Sequence, residues 1–278
     1  MEENKNNTQK QPEQKKKKKS DVLLTIALIA AIVVFCYAAF NLYHIYTEYK
    51  KGTDEYNQIE EMAVTERDAD SAEVAGPNAQ LKPPIEVDFD KLKSVNEDVV
   101  GWIYIEDTVV NYPVVQGTDN DFYINHDWEG NSSHSGCIYE DFRGKIDTSQ
   151  NTLFYGHNMA NGSMFSAIKG YTDPEWGKAH RYFEVASLDK RYLYEIVSVN
   201  IVNGEAGADF EYWNYLDMDR RAYLTFLQKI KETSTVWYLD GTDMPEYGKN
   251  RMIALQTCNS GADDGIRCVL FARCLGEY

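Results

Sequence analysis

Cysteine and proline are both scarce in this chain, which has five cysteines and seven prolines among 278 residues. Five cysteines are too few for a disulfide scaffold, and no CxxC or HExxH pattern indicates a metal site. Acidic residues outnumber basic ones 44 to 28, which gives a formal charge of −16. Because such a surface repels phosphate backbones, we expect no nucleic-acid partner. The sequence predicts no metal and no other cofactor.

What the chain does have is enough apolar material for a folded core, with 43% hydrophobic and 13% aromatic residues. Twenty tyrosines favour half-exposed strands. Helices are predicted at residues 89–95, behind a capping Asp88, near 164–169, and at 219–231. Strand-like runs separated by turn residues occupy 101–105, 109–116, 122–125, 136–140, 152–155, 182–186, 192–202, 252–257 and 267–275. Many short strands with few helices predict a mainly β domain, a closed or nearly closed barrel.

The N-terminal quarter differs sharply from the rest of the chain. Residues 1–21 form a basic tail with five consecutive lysines at 15–19, which we expect to be disordered and cytoplasmic. Residues 22–43 follow as a transmembrane anchor, of which 22–40 carry no charge and span about 28 Å as a helix. The alternative is a cleaved signal peptide, but the apolar stretch is longer than is usual there. We therefore predict a single-pass membrane protein whose C-terminal domain lies outside the cell.

Residues 44–86 are predicted to form an extracellular stalk between the anchor and the domain. The first half has the character of a polar helix, and the second half is rich in Ala, Asp, Gly and Pro. The working domain is predicted at residues 87–278.

Cys258 is the first candidate for chemistry, since it ends a predicted strand and opens a Gly/Asp loop. A half-exposed thiol at a strand end can reach a substrate, provided a base or cation favours its thiolate. Arg267 lies nine residues on, where a hairpin would return it beside Cys258, and its guanidinium can hold a developing oxyanion. The alternative is a buried structural thiol.

His157 is the second candidate, because it follows a strand through a tight glycine turn in the sequence YGHNM at 155–159. Its ordinary pKa of about 6.5 suits a general acid or base near neutral pH. The alternative is a turn histidine bonded to backbone. His126, His134 and His180 lack a comparable strand-and-glycine context.

Together these segments resemble the class B sortases, which are cell-wall cysteine transpeptidases of Gram-positive bacteria. YGHNM at 155–159 is similar to the family's catalytic-histidine motif, and LQTC at 255–258 to its L-x-T-C nucleophile motif. RCVL at 267–270 resembles the start of the strand that carries its catalytic arginine. NYPVVQG at 111–117 with DN at 119–120 is similar to the approach to its early strands. The helix at 219–231 favours class B over class A.

The resemblance implies an eight-stranded sortase barrel with an N-terminal helix and a helix before the nucleophile strand. It implies that Cys258 is the nucleophile, that His157 is the acid/base and that Arg267 stabilises the oxyanion. It also implies substrate contacts at three further residues of these motifs, namely Thr257, Gln256 and Asn158. Gln256 is a departure, because class B members often have Ser there. A second arginine on the same strand face, Arg273, is interpreted as structural.

The partners implied are secreted proteins with an NPxTx-like C-terminal sorting signal, cleaved after Thr, and an amine of a peptidoglycan precursor or a pilin. Two other functions stay open. One is a hydrolytic cysteine peptidase, and the other is a membrane-tethered binding module in which Cys258 is only structural. For the remaining cysteines of the domain, Cys137, Cys268 and Cys274, unpaired buried thiols are expected.

Overall fold

The computed structural model describes residues 13–66, 85–241, 243–260 and 264–277, with side chains from residue 21 onward. The chain divides into two compact units, one up to Glu48 and one from Tyr49 to the C-terminus. Helix α1 runs over Glu13–Ala63. From Asp21 on, it contains an exposed stretch of mean hydropathy 2.8, which is long and apolar enough to cross a membrane. The expected apolar N-terminal helix is therefore present. Residues 1–12 of the predicted basic tail lie outside the described residues, whereas residues 13–21, expected to be disordered, are the first turns of α1.

The last turns of α1 belong to the second unit and pack on its barrel. Tyr56, Ile59 and Ala63 recur at helical spacing and lie in the main hydrophobic core. The Tyr56 hydroxyl also donates a hydrogen bond to the Gly136 carbonyl at 2.9 Å. The core thus includes residues from the segment predicted as a stalk, and the domain boundaries given by the sequence remain predictions. Most of the second half of that stalk, residues 67–84, lies outside the described residues.

Eleven strands are found in the described part of the chain, and eight of them close a barrel. The strands are β1 Val64–Glu66, β2 Ile85–Val87, β3 Val99–Tyr104, β4 Asn111–Val115, β5 Ile138–Glu140, β6 Asn151–Tyr155, β7 Tyr182–Ser187, β8 Arg191–Asn203, β9 Ser234–Trp237, β10 Met252–Cys258 and β11 Ile266–Glu277. The barrel order is β11-β10-β6-β5-β4-β3-β7-β8, and β8 pairs with β11 to close the barrel. Strand β9 pairs with β8, and β1 pairs with β2 in a separate sheet. This confirms the eight-stranded barrel.

The described residues contain three further α-helices, which connect strands of the domain. They are α2 Phe89–Val95, α3 Pro174–Ala179 and α4 Arg220–Glu232. Asp88 caps α2 as predicted, by accepting the Lys91 N–H. Asp219 caps α4 in the same way, so the predicted helix at 219–231 is confirmed. Its apolar stripe covers the outer face of the sheet, where Tyr223, Phe226, Leu227 and Ile230 are buried.

The two faces of the barrel sheet bury separate cores. The barrel interior holds alternate residues such as Ile253 and Leu255 of β10. The outer face carries Met252 and Ala254 of the same strand, packed beneath α4 and the β8–α4 connection. This follows from the two-residue period of a strand. Residues 256 and 258 therefore share the outer face with 252 and 254.

Two sequence predictions need correction, and some short elements were not predicted. Residues 122–125 form a turn and not a strand, because Asp119 Oδ1 captures the N–H groups of Asp121 and Phe122 that a ladder would need. The predicted helix near 164–169 is a 3₁₀ helix over Phe165–Thr172. Helix α3 and strand β9 were not predicted, since six and four residues carry too short a pattern.

Glu140 on β5 is a buried carboxyl with an unusual environment. The residue is 1% exposed, and in the described part of the chain its Oε1 finds no hydrogen-bond partner. Burial, with smaller contributions from Asp141 and Asp147, raises the pKa of Glu140 to about 8. The folded state therefore holds a proton that the unfolded chain, with a Glu pKa of about 4.3, releases. Stability linked to this group falls as pH rises between these two values.

We expect Glu140→Gln to remove this pH dependence, because Gln cannot ionise. The thermal midpoint of the variant minus that of the wild type, measured on the detergent-solubilised chain, should increase from pH 6 to pH 9. The exposed Glu97→Gln variant is the control and should follow the wild type. A Glu140→Gln difference that stays constant over this range would contradict the assignment.

Candidate active site

Cys258 ends β10 and faces Arg267 directly across the β10–β11 hairpin. The two residues are Cα partners in the antiparallel register. The hairpin is continued by a hydrogen bond from the Asn259 N–H to the Ile266 carbonyl at 3.1 Å. Cys258 is partly exposed, as the chemistry of a nucleophilic thiol requires. The predicted return of Arg267 to the side of Cys258 is therefore found in the structure.

His157 reaches the same edge of the sheet because β6 and β10 are parallel neighbours. Their register pairs Tyr155 with Gln256, and the Gly156 N–H donates to the Gln256 carbonyl at 3.1 Å. Carboxyl ends of parallel strands emerge on the same side of a sheet. The residues that follow β6 and those that end β10 consequently meet, although they are about a hundred residues apart in the chain.

Position 156 needs a glycine because neighbouring side chains leave no room for a Cβ atom, and not because of its backbone conformation. Its φ angle is not in the left-handed region. A Cβ atom at this position would lie 2.4 Å from Ile138 Cδ1 and 2.7 Å from Phe165 Cδ2. The glycine before His157 therefore permits close packing of β6 against its neighbours, where the sequence was interpreted as a tight turn.

The His157 ring is held by the backbone of an adjacent loop. Its Nε2 lies 2.7 Å from the Ile124 carbonyl oxygen. A carbonyl can only accept, so Nε2 carries the hydrogen in this arrangement. Nδ1 is then the ring nitrogen that is left to exchange a proton.

The side chain of Arg267 lies over Gly204, at the end of β8. A Cβ atom at Gly204 would stand 2.4 Å from Arg267 Cγ, so only glycine leaves room for the arginine in this position. The Gly204 N–H donates to the Gly265 carbonyl at 2.8 Å, which ties β8 to the loop that precedes Arg267. Half burial of a guanidinium beside a thiol places a fixed positive charge at the cleft.

These residues line one cleft with a volume of about 380 Å³. All six site residues predicted from the sequence contribute to its walls. Thr257 is buried, and its hydroxyl has no hydrogen-bond partner among the described residues, whereas Gln256 and Asn158 are half buried. The remaining lining residues are Tyr49, Ile124, His134, Tyr139, Tyr155, Gly156, Met159, Ala160 and Ser260.

The sequence did not reveal the aromatic wall of the cleft. Tyr139 and Tyr155 are cross-strand partners whose rings stack with centroids 5.1 Å apart. Tyr49, from α1, and His134 make a second ring contact at 6.3 Å on the rim. The excess of tyrosine is visible in the composition, but which tyrosines meet depends on strand register.

A buried carboxylate supports this wall from behind. Asp141 is fully buried and accepts hydrogen bonds from the Tyr155 hydroxyl at 3.0 Å and from two nitrogens of Arg143 at 2.8 Å. Burial alone raises the pKa of Asp141, but the Arg143, Tyr155 and Asn120 hydrogen bonds outweigh it, and the net pKa is lowered. The carboxylate therefore stays charged and holds Tyr155 in place.

Arg273 lies at the opposite end of β11 from the cleft. Its guanidinium bonds to Glu195 at 2.8 Å and to both carboxylate oxygens of Asp243. The Asp243 hydrogen bonds, with those of Glu195, raise the pKa of Arg273 against the effect of burial. Arg273 thus has a structural ion-pair environment, and Arg267 is the arginine that borders the cleft.

The five cysteines are all free. Burial raises the pKa of Cys137 and of Cys268 to about 12, and it also raises the pKa of Cys274. These three thiols are buried, whereas Cys258 opens to the cleft. Unpaired buried thiols agree with the expectation from the sequence.

No group of three or more His, Cys, Asp or Glu side chains is placed to hold a metal ion in the ranges that the structure describes. The carboxylate of Asp127, in a loop, illustrates why a large number of acidic residues does not by itself make a metal site. Its Oδ1 already accepts the N–H groups of Glu129 and Asn131.

Comparison with known proteins identifies this arrangement. A family described as sortase domain matches residues 103–274, which is more than half of the chain. Sortase B of Listeria monocytogenes serovar 1/2a (strain ATCC BAA-679 / EGD-e) is 34% identical over 173 residues, covering 62% of this chain and 67% of that protein. The chain belongs to class B of the sortase family.

Solved class B structures share the fold of this sortase. Sortase B from B. anthracis superimposes with a TM-score of 0.64 at 27% identity, over 82% of this chain and 98% of that one. Sortase B from Clostridium perfringens gives a TM-score of 0.60 at 29% identity, over 68% of this chain and 100% of that one. The sortase described here is therefore a cysteine transpeptidase, as the sequence predicted.

We expect iodoacetamide to modify Cys258 of this sortase well before Cys137, Cys268 and Cys274, because thiolate attack needs both access and ionisation. Peptide mapping of the native chain at pH 7.5 would measure the modification of each cysteine separately, so that Cys36 in the apolar helix does not contribute to the comparison. Unfolding in guanidinium should bring the four rates of the domain together. Equal rates in the native state would contradict the burial described here.

Proposed function

We propose that this sortase is a membrane-anchored transpeptidase that cleaves the C-terminal sorting signal of secreted proteins after Thr and transfers the acyl group to an amine. The observation that carries the proposal is the meeting of Cys258, His157 and Arg267 on one cleft, with Cys258 and Arg267 as direct cross-strand partners. Each of the three supplies a function that amide exchange through a thioester needs.

In the acylation step, the Cys258 thiolate attacks the carbonyl carbon of Thr, and the new C–S bond gives a tetrahedral intermediate. As this intermediate collapses, the C–N bond breaks and the departing amine takes a proton from His157. Nδ1 is suited to this transfer, because Nε2 is engaged by the Ile124 carbonyl. The product is a thioester between the secreted protein and Cys258.

In the second step, an amine attacks the thioester and the C–S bond breaks. His157, now neutral, accepts the proton that the amine loses on forming the new amide, and the thiolate of Cys258 is regenerated. Dividing the exchange in this way permits transfer to an amine instead of hydrolysis.

Arg267 stabilises the negative oxygen that develops in both steps. Its position over Gly204 fixes the guanidinium before substrate arrives, so little reorganisation is needed. The Asn259 N–H is bonded to Ile266 in this structure. Arg267 is consequently the donor that we assign to the oxyanion.

The substrate is proposed to be an NPxTx-like signal bound along the walls that Thr257, Gln256 and Asn158 contribute. The acceptor is proposed to be an amine of a peptidoglycan precursor or of a pilin. The basic tail and the apolar helix support an N-terminus inside the cell, a single membrane span and a catalytic domain outside.

The direct test is intact mass spectrometry of the detergent-solubilised full chain with peptides bearing NPxTx, SPxTx, PPxTx or LPxTG signals. We expect an adduct equal to the acyl fragment ending in Thr on the wild type and none on Cys258→Ala. Triglycine should discharge the adduct to a new amide.

Other outcomes of this experiment separate the alternatives. Equal turnover with and without triglycine would indicate a hydrolytic peptidase. A folded, alkylatable Cys258 that forms no adduct with any of the peptides would overturn the proposal and favour a binding module.

The two arginines of β11 provide a matched pair of variants. We expect Arg267→Ala to lower kcat/KM by about 10²–10³, the usual effect of losing one oxyanion donor, with little change in thermal midpoint. Arg273→Ala should instead lower the thermal midpoint, because it leaves the buried Glu195 with one partner fewer. Peptide kinetics and thermal denaturation would be measured on both variants. The reverse pattern would contradict the assignment of Arg267.

A further inference from the structure

Gln256 lies two residues before Cys258 on the same outer face of β10. Both side chains are half buried and line the cleft. At roughly 3.3 Å per residue, the two positions are about 6.6 Å apart along the strand. An extended peptide repeats at the same rise, so a signal that runs parallel to β10 with its Thr carbonyl at Cys258 would bring a residue about two positions upstream to Gln256.

The side chain of Gln256 is held from beneath by Tyr212. This tyrosine lies in a short 3₁₀ helix, Tyr212–Asn214, of the connection from β8 to α4. It is fully buried and packs edge-on against Trp213 and Phe271, with ring centroids at 5.0 and 6.1 Å. Its hydroxyl donates a hydrogen bond to Gln256 Oε1.

This contact fixes which end of the amide faces the cleft. A buried phenol proton needs an acceptor, and Gln256 Oε1 is the acceptor that it has among the described residues. Rotating the amide by 180° would place an NH₂ group against that proton and lose the hydrogen bond. Burial raises the pKa of Tyr212, even against the lowering effect of Arg267, so the hydroxyl remains a donor at working pH.

The amide nitrogen of Gln256 is thereby left facing substrate. Within the described residues, no hydrogen bond engages Nε2. An oriented N–H₂ group in a half-buried cleft is suited to a carbonyl or carboxylate oxygen, and it disfavours an ammonium group.

We propose that Gln256 is a specificity-determining residue that donates a hydrogen bond to a carbonyl-type oxygen of the sorting signal about two residues before Thr, and that Tyr212 is the positioning residue that fixes this donor. The inference rests on the proposed function, since it assumes that a sorting signal occupies the cleft. It adds to that function a statement about specificity, namely that this wall of the cleft selects a substrate group with an oxygen acceptor.

The first test is a mutant cycle on the full chain, with kcat/KM for acylation by the most reactive of the four signal peptides as the readout. We expect Gln256→Met to lower kcat/KM about five- to tenfold, the range of one neutral hydrogen bond. Tyr212→Phe should lower it about threefold, because the amide is present but no longer oriented. The double variant should be no worse than Gln256→Met, since Tyr212 acts through Gln256.

Two matched controls separate this effect from a loss of structure. Gln228→Met changes the same side chain on the exposed face of α4. Tyr223→Phe removes another buried hydroxyl of the outer core, one that donates to the Asn250 carbonyl. Both should keep the wild-type kcat/KM, and all variants should keep the alkylation rate of Cys258 with iodoacetamide. A fully additive double variant, or an unchanged Gln256→Met, would overturn the inference.

The second test reverses the polarity of the donor. In Gln256→Glu, Tyr212 still donates to one oxygen, and the other presents a negative acceptor to the cleft. We expect this variant to acylate neutral peptides more slowly, and to prefer signal peptides with Lys at the variable position between Pro and Thr by about tenfold relative to the wild type. An unaltered preference would overturn the inference.

The outcomes distinguish this inference from the proposed function. If the wild type acylates and Gln256 variants match it, only the specificity assignment fails. If the wild type forms no thioester with any peptide, the transpeptidase proposal and the inference fail together.

Discussion

The parallel pairing of β6 with β10 is the constraint on which the rest of the site depends. It places the end of the strand before His157 beside the end of the strand that carries Cys258, although the two residues are about a hundred positions apart. The antiparallel return of β11 then sets Arg267 opposite Cys258. Gly156 makes the first approach possible, because any side chain there would collide with Ile138 and Phe165. The three functional groups are thus fixed by backbone pairing in a closed barrel, which leaves them little freedom to move apart.

The outer layer of the domain turns this sheet edge into a cleft. The β8–α4 connection brings Gly204 under Arg267 and Tyr212 under Gln256, so one connection positions two cleft side chains at once. On the other side, Asp141 holds Tyr155 through a hydrogen bond, and Tyr155 stacks on Tyr139. The same layer buries α4 against the sheet. Stability of the outer core and geometry of the cleft therefore depend on shared residues.

Burial also separates the thiol that borders the cleft from the other thiols of the domain. Cys137 and Cys268 lie in the barrel core, where desolvation raises the pKa of each thiol to about 12. Cys258 lies at a strand end, with a guanidinium across the hairpin. A single chain can thus hold several cysteines and still present one of them to the cleft. Glu140 shows the effect of burying a carboxyl whose Oε1 has no hydrogen-bond partner among the described residues, because its raised pKa makes stability depend on pH.

The sequence by itself determined the barrel class, the capped helices α2 and α4, and the three residues of the proposed catalytic set. Local patterns carry these features: alternation for strands, caps for helices, and short motifs around Cys258 and His157. The turn at 122–125 was mistaken for a strand, because side-chain capture of backbone N–H groups by Asp119 overrides an apolar pattern. The tyrosine wall, the space kept by Gly204 and the Tyr212–Gln256 hydrogen bond were decided only by tertiary structure. These contacts join residues that are 16 to 63 positions apart in the chain: Tyr139 with Tyr155, Tyr212 with Gln256, and Gly204 with Arg267. Such contacts follow from strand register and from the packing of the outer layer on the sheet, and neither of these leaves a periodic pattern in the local sequence.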